Sequence, residues 1–128
     1  LDLTDLQDGT ATVSATETDV AGNTGSPVST SFTIDTTPPI VVIDKPVTTD
    51  DFISNEEESN VPITGTGEPN SVIDVEITDG AIVLSNTVSV DSNGVWDTTF
   101  DVTTLAEGPL TITALDTDIA GNSASDTH

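Results

Sequence analysis

Twenty-three carboxylates against a single basic side chain dominate the chemistry open to this 128-residue chain, which has one histidine and no cysteine. His128 is the last residue and Lys45 stands alone, so no nucleophile–base pair can be assembled and an enzyme is not expected. What remains is oxygen chemistry. Glu68 sits in the turn Gly65-Thr66-Gly67-Glu68-Pro69-Asn70, Asp118 and Asn122 bracket Ile119-Ala120-Gly121, and Asp35 precedes Thr36-Thr37-Pro38-Pro39. Carboxylates gathered with no cation between them repel, and a hard cation resolves the conflict. Carboxylate, amide and carbonyl oxygens suit Ca²⁺ and poorly suit Zn²⁺ or Cu²⁺. The competing reading of Asp118 to Asn122 is a tight turn, because Asp, Gly and Asn tolerate unusual backbone angles. A second cluster, Asp50, Asp51, Asn55, Glu56, Glu57 and Glu58, lacks the EF-hand spacing; it reads either as another Ca²⁺ site or as a solvated acidic loop. Paired carboxylates can hydrolyse glycosides, but these lie in loops and no substrate cleft is indicated.

The elements that would position these oxygens are strands. Val72-Ile73-Asp74-Val75-Glu76-Ile77, Thr87-Val88-Ser89-Val90, Val95-Trp96-Asp97 and Leu110-Thr111-Ile112-Thr113-Ala114-Leu115 alternate apolar with polar and are rich in β-branched residues. No long stretch has helical spacing. Strands are predicted over 10–17, 28–34, 40–43, 61–66, 71–77, 82–90, 95–101 and 109–116, with a further strand opening after Asn122. Pro62 predicts an edge position or the first paired residue of its strand. Thr37-Pro38-Pro39 reads as a stiff, extended spacer.

Sliding the chain by 99 residues lays Asp2–Ser26 over Asp101–Ser125 with 12 of 25 positions identical, a repeat the size of a small domain. Residues 1–36 are expected to be the C-terminal strands and linker of a preceding repeat, and 37–128 a repeat lacking its final strand, because Pro27 to Asp35 have no counterpart after His128. Seven short strands with turn punctuation predict an all-β, immunoglobulin-like antiparallel β-sandwich. In that fold the loops carrying Glu68 and Asp118–Asn122 share a pole with the start of the first strand, and so with Asp35. Trp96 is expected in or beside the core.

A net charge of −22 excludes nucleic acid as a partner and disfavours anionic membranes. High charge with modest hydrophobicity also marks disordered chains, but the apolar residues here are patterned. With no cysteine, neither disulfides nor thiolate metal sites hold the fold. No signal peptide, transmembrane run or targeting segment is visible, and the absence of methionine points to an excised fragment. An acidic surface serving solubility alone would spread its acids over strand faces, whereas most here sit in turns.

Several motifs together resemble a known family. They are Asp35-Thr36-Thr37-Pro38-Pro39, Asp51-Phe52-Ile53 with Glu57, Gly65-Thr66-Gly67-Glu68-Pro69, Asp91-Ser92-Asn93-Gly94-Val95-Trp96 and Thr117-Asp118-Ile119-Ala120-Gly121-Asn122. In order and spacing they are similar to the tandem bacterial Ig-like repeats of giant RTX-type adhesins, exported by type I secretion from Gram-negative bacteria. The resemblance covers nearly the whole second repeat. It implies an extracellular location on the bacterial surface, Ca²⁺ at the junctions between adjacent repeats, and a structural extender role in adhesion and biofilm. On matching positions it implies metal ligation by Asp35, Glu68 and Asp118, joined by Asn122 and Asp116; the first repeat has Glu17 where the second has Asp116. Asp51 and Glu57 are carried as ligands of the second cluster.

The alternative function is a ligand-binding module for carbohydrate or ice. One Trp, three Phe and no Tyr offer few stacking platforms, and the Thr residues follow no fixed short repeat. Strand 28–35 is not expected to complete the second repeat of its own chain, because a five-residue linker reaches only about 17 Å. It is expected instead to complete a neighbouring molecule by strand exchange.

Overall fold

The computed structural model describes residues 3–128; Leu1 and Asp2, where the repeat begins, lie outside the described residues. It divides into two compact units, Leu1–Thr37 and Pro38–His128. Among the described residues no helix is long and apolar enough to cross a membrane.

The first unit is a hairpin. A turn closed by the Leu6 N–H on the Leu3 carbonyl (3.1 Å) leads into β1 (Gly9–Ala15), which pairs antiparallel with β2 (Val28–Ile34), Gly9 opposite Ile34 and Ala15 opposite Val28. Because side chains alternate along a strand, Ala11, Val13 and Ala15 share one face with Val28, Phe32 and Ile34. Val13, Val28 and Phe32 are nevertheless exposed.

The second unit has seven strands: β3 (Val42–Ile43), β4 (Val61–Thr66), β5 (Val72–Thr78), β6 (Val83–Ser89), β7 (Val95–Phe100), β8 (Thr111–Thr117) and β9 (Ser123–Thr127). They form a three-stranded sheet, β3-β4-β7, and a four-stranded sheet, β6-β5-β8-β9, with every pair antiparallel. Each inner face follows from the period-two pattern: Val61 and Ile63 on β4, Ile73, Val75 and Ile77 on β5, Trp96 and Phe100 on β7, and Ile112 and Ala114 on β8 are all buried in one cluster. The unit is an immunoglobulin-like β-sandwich.

Trp96 is the largest side chain in that core, and Gly65 makes room for it. A Cβ on Gly65 would lie 2.1 Å from the Val42 carbonyl oxygen and 2.5 Å from Trp96 Cζ2, so the indole packs directly over the β4 backbone. β3 is shorter than the predicted 40–43, with Ile40 80% exposed and pairing limited to Val42↔Thr66 and Ile43↔Gly65 plus the Asp44 N–H to the Thr64 carbonyl (2.9 Å). Beyond Asp44 the ladder ends, and that is where Pro62 sits. Its missing N–H faces the side of β4 that β3 no longer covers, while its other side pairs with β7.

Candidate metal centre

At the β8–β9 end of the sandwich the chain turns through Asp118–Asn122. The Asp118 N–H bonds the Asn122 carbonyl (3.0 Å), and the Gly121 N–H bonds the Asp118 carbonyl (3.2 Å) with Gly121 at φ 94°. The Asp118 carboxylate then folds over the loop. Oδ1 accepts the Asn122 N–H and Oδ2 accepts the Asn122 side-chain amide, each at 2.8 Å. These bonds from Asn122, the side-chain amide first, hold the Asp118 carboxyl below its usual range although Asp118 itself is buried.

Two residues back on the same face, Asp116 is wholly buried on β8, opposite Ile73 of β5 and Ala124 of β9. Its Oδ2 accepts the Glu68 backbone N–H at 3.0 Å, which ties the turn after β4 to β8. Gly67 permits this approach, because a Cβ there would meet Asp116 Oδ2 at 2.9 Å. Asp116 Oδ1 has no hydrogen-bond partner. A buried carboxylate oxygen left unpaired is costly, and it marks a place where a cation would be welcome.

Glu68 is half-buried in its turn, its carbonyl accepting the Ser71 hydroxyl at 2.7 Å. The structure thus brings Glu68, Asp116, Asp118 and Asn122 to one end of the second unit. Asp35 belongs to the first unit, where its Oδ1 accepts the Thr37 N–H at 3.1 Å.

These donors fit a hard cation in kind, since all are oxygens and one buried carboxylate oxygen is unpaired. They do not make a closed site on their own: among the described residues no three acidic or imidazole side chains form a metal-holding group. Asp116 and Asp118 would need further oxygens, from backbone, water or another segment.

In the 47–58 loop the acids serve their own turns. Asp51 Oδ1 accepts the Val47 N–H (2.7 Å) and lies 3.2 Å from His128 Nε2, with Asp51 in the left-handed region at φ 62°. Glu57 Oε2 accepts both the N–H (2.9 Å) and the hydroxyl (2.7 Å) of Ser54, while the Glu57 N–H bonds the Ser54 carbonyl (2.9 Å), which closes a local turn. Asp50 Oδ1 accepts the Phe52 N–H at 3.1 Å.

Three carboxylates escaped the sequence reading. Asp79 accepts backbone N–H bonds from Ala81, Ile82 and, across the sandwich, Ala106, each at 2.8 Å, and the Ala106 bond leads in lowering its pKa to about 2. Asp126 Oδ2 accepts the Ile43 N–H at 2.9 Å. Asp8 grips the start of the linker: Oδ1 accepts the N–H (3.0 Å) and hydroxyl (2.8 Å) of Thr36, and Oδ2 the hydroxyl of Thr37 (2.7 Å). Asp79 and Asp8, each followed by glycine, carried a local signal, and that signal reads as a turn. The remaining partners lie 27 to 83 residues away.

One solved structure with this architecture is a tetra-tandem repeat in the extending region of a large adhesion protein. It is 27% identical, with a TM-score of 0.64, over 100% of this chain and 32% of that one, so this chain spans about a third of its length. No curated protein matches. The bacterial Ig domain family matches residues 46–128, from just after β3 through β9. The chain belongs to the bacterial Ig domain family.

Proposed function

We propose that this chain is a structural extender module of a large extracellular adhesion protein on the bacterial surface, stiffened by Ca²⁺ where repeats adjoin. The observation that carries the calcium reading is the buried, unpartnered Asp116 Oδ1 in an all-oxygen donor set. The extender reading rests on the likeness to repeats of an adhesion protein's extending region and on the internal repeat of this sequence. Asp116 and Asp118 would hold the ion, with Glu68 and Asn122 beside them and Asp35 supplied by the linker. Bound there, Ca²⁺ supplies charge compensation for carboxylates that have no basic partner.

The mechanism is linkage. An ion that binds the folded form and not the unfolded chain stabilises the fold by an amount set by its concentration, about 2.7 kcal/mol at 100 times Kd. Extracellular modules bind Ca²⁺ at roughly 10⁻⁴–10⁻³ M, a level met outside cells and not in cytoplasm. The module would therefore stay slack until secreted. In the same array, neighbouring molecules exchange the Val28–Ile34 strand.

The test is a thermal melt in EDTA, in millimolar Ca²⁺ and in equal Mg²⁺. A rise of several degrees with Ca²⁺ alone, lost in Asp116→Asn, is expected. Superimposable curves would sink the calcium mechanism and leave the extender reading to the fold. A carbohydrate or ice ligand has no comparable observation in its favour.

A further inference from the structure

Building on the calcium reading above, we propose that the length of the carboxylate at position 116 sets how tightly a repeat holds its ion. Repeats with aspartate there and repeats with glutamate then release Ca²⁺ at different concentrations. The two units differ at this point and agree around it. Shifted by 99 residues, Asp116-Thr117-Asp118-Ile119-Ala120-Gly121-Asn122 lies over Glu17-Thr18-Asp19-Val20-Ala21-Gly22-Asn23 with five of seven positions identical. Of the two positions that differ, one is the loop tip, where Ile119 is 98% and Val20 110% exposed. The other is Asp116, which has no exposed surface. The difference that an ion would feel is one methylene at the buried end of the motif.

Asp116 has a separate task for each oxygen. Oδ2 accepts the Glu68 N–H at 3.0 Å and so fixes the turn between β4 and β5 that carries the Glu68 side chain. Oδ1 is buried with no partner, whereas both Asp118 oxygens already accept bonds from Asn122 at 2.8 Å. One hydrogen bond thus holds two donors of the set, Asp116 and Glu68, in place before an ion arrives. Loss of such a bond to a ligating carboxylate typically lowers metal affinity by roughly 10–100-fold.

A longer side chain cannot keep this arrangement. The position a Cβ would take on Gly67 lies 2.9 Å from Asp116 Oδ2, 2.9 Å from Ile73 Cδ1 and 3.0 Å from Val90 Cγ2, so carboxylate, core and turn already meet in one corner. Glutamate would place its carboxyl about 1.5 Å further from the β8 backbone. It must then give up the Glu68 N–H or push the turn away, and in either case Glu68 loses its anchor. Asparagine fails in the opposite way, because it keeps an oxygen for the Glu68 N–H but brings no negative charge to the ion. Along an array, repeats with glutamate at this position would slacken first as Ca²⁺ falls.

Two NMR measurements on the full chain separate the anchor from the ion. In EDTA, the Glu68 amide should exchange slowly with solvent in the parent and in Asp116→Asn, and quickly in Asp116→Glu. The amide of buried Val75, on the central strand β5, should stay protected in all three. In a Ca²⁺ titration followed at the Gly121 amide, the midpoint of Asp116→Glu should rise roughly 10–100-fold above the parent's, and Asp116→Asn should not respond. Gly67→Ala, whose methyl would meet Asp116 Oδ2 at 2.9 Å, disturbs the same anchor with Asp116 in place. It should raise the midpoint too, and it decides the matter if Asp116→Glu does not fold. A midpoint indistinguishable from the parent's would overturn the proposal, as would a Glu68 amide as well protected in Asp116→Glu as in the parent. A parent that gives no response to Ca²⁺ overturns the calcium reading and this inference together, whereas an unchanged midpoint overturns this inference alone.

Discussion

The loop Thr18–Asn23 and the loop Thr117–Asn122 are the same six residues but for one Val-to-Ile change, and they fold the same way in very different surroundings. In both, the aspartate N–H meets the asparagine carbonyl (2.9 and 3.0 Å), and the asparagine amide meets the aspartate Oδ2 (2.8 Å in each). The glycine stands at φ 90° in one and 94° in the other. Yet Asp19 is exposed and Asp118 buried, as Ala15 is exposed and Ala114 wholly buried. The loop thus keeps the same hydrogen bonds whether or not a core lies beneath it. What separates the two copies is what lies beneath: in the second unit the adjacent strand meets an opposing sheet, and Asp116 is sealed in with one oxygen unpaired.

A second difference sits just past the loop. In the first unit Thr18↔Thr24 and the Gly25 N–H to the Glu17 carbonyl (2.9 Å) follow one register, but Ala15 pairs with Val28, one residue out of step. Ser26 and Pro27 together oppose Thr16, which is a β-bulge at a residue that cannot donate a ladder bond. In the second unit Leu115↔Ser125 and Ala114↔Asp126 keep the register unbroken. A one-residue slip exchanges the faces of a strand. The bulge turns Val28, Phe32 and Ile34 to the apolar side, whereas without it Asp126 points inward to Ile43.

The largest test of this comparison is to separate the units. Residues 38–128 alone are expected to melt cooperatively by circular dichroism, and a 1–37 peptide to show no cooperative transition, as an isolated two-stranded hairpin is marginal in water. Next, one substitution made at equivalent positions should give opposite results. Ala114→Asp buries an uncompensated charge and should cost about 3–5 kcal/mol in denaturant titrations. Ala15→Asp should stay within about 0.5 kcal/mol. Smaller again is Asp126→Ala, which strands the buried Ile43 N–H and should cost about 1–3 kcal/mol. Pro27→Ala at the matching position should leave the second unit's unfolding curve unmoved.

The smallest effects are those of pH. Asp79 and Asp118 have folded pKa values below their unfolded ones, so the stability they contribute is complete above the unfolded value near 3.8 and is lost as pH falls through the folded value, about 2 for Asp79. An acid titration of Asp79→Asn should therefore be flatter than that of the parent over this window. Asp19 is lowered by the same asparagine contact, but its protonation should register only in the NMR shifts of its own loop.

The strands were legible wherever a polar and an apolar residue alternate. Val28–Ile34 and Val61–Thr66 fall where the sequence places them, because one face of each had to be apolar. Trp96 was legible as core for the same reason. Illegible was anything decided by a distant partner. Nothing near Asp79 announces Ala106, and nothing near Asp126 announces Ile43. The bulge at Pro27 also stayed hidden, since a proline before a strand reads equally as a strand start. Of the candidate site, the oxygens and their loops were legible from turn chemistry, whereas the depth of Asp116 required the β8 register and the glycine at 67 to be seen together.

One further consequence follows from the contact between β3 and β9. The Ile43 N–H to the Asp126 carboxylate (2.9 Å) and Lys45 Nζ to the Thr127 carbonyl (3.2 Å) join the edge of one sheet, at β3, to the edge of the other, at β9. Pro38 precedes β3 and Thr127 ends β9. A pull applied at these two points would be carried by the contacts between those edges before it reached the apolar core.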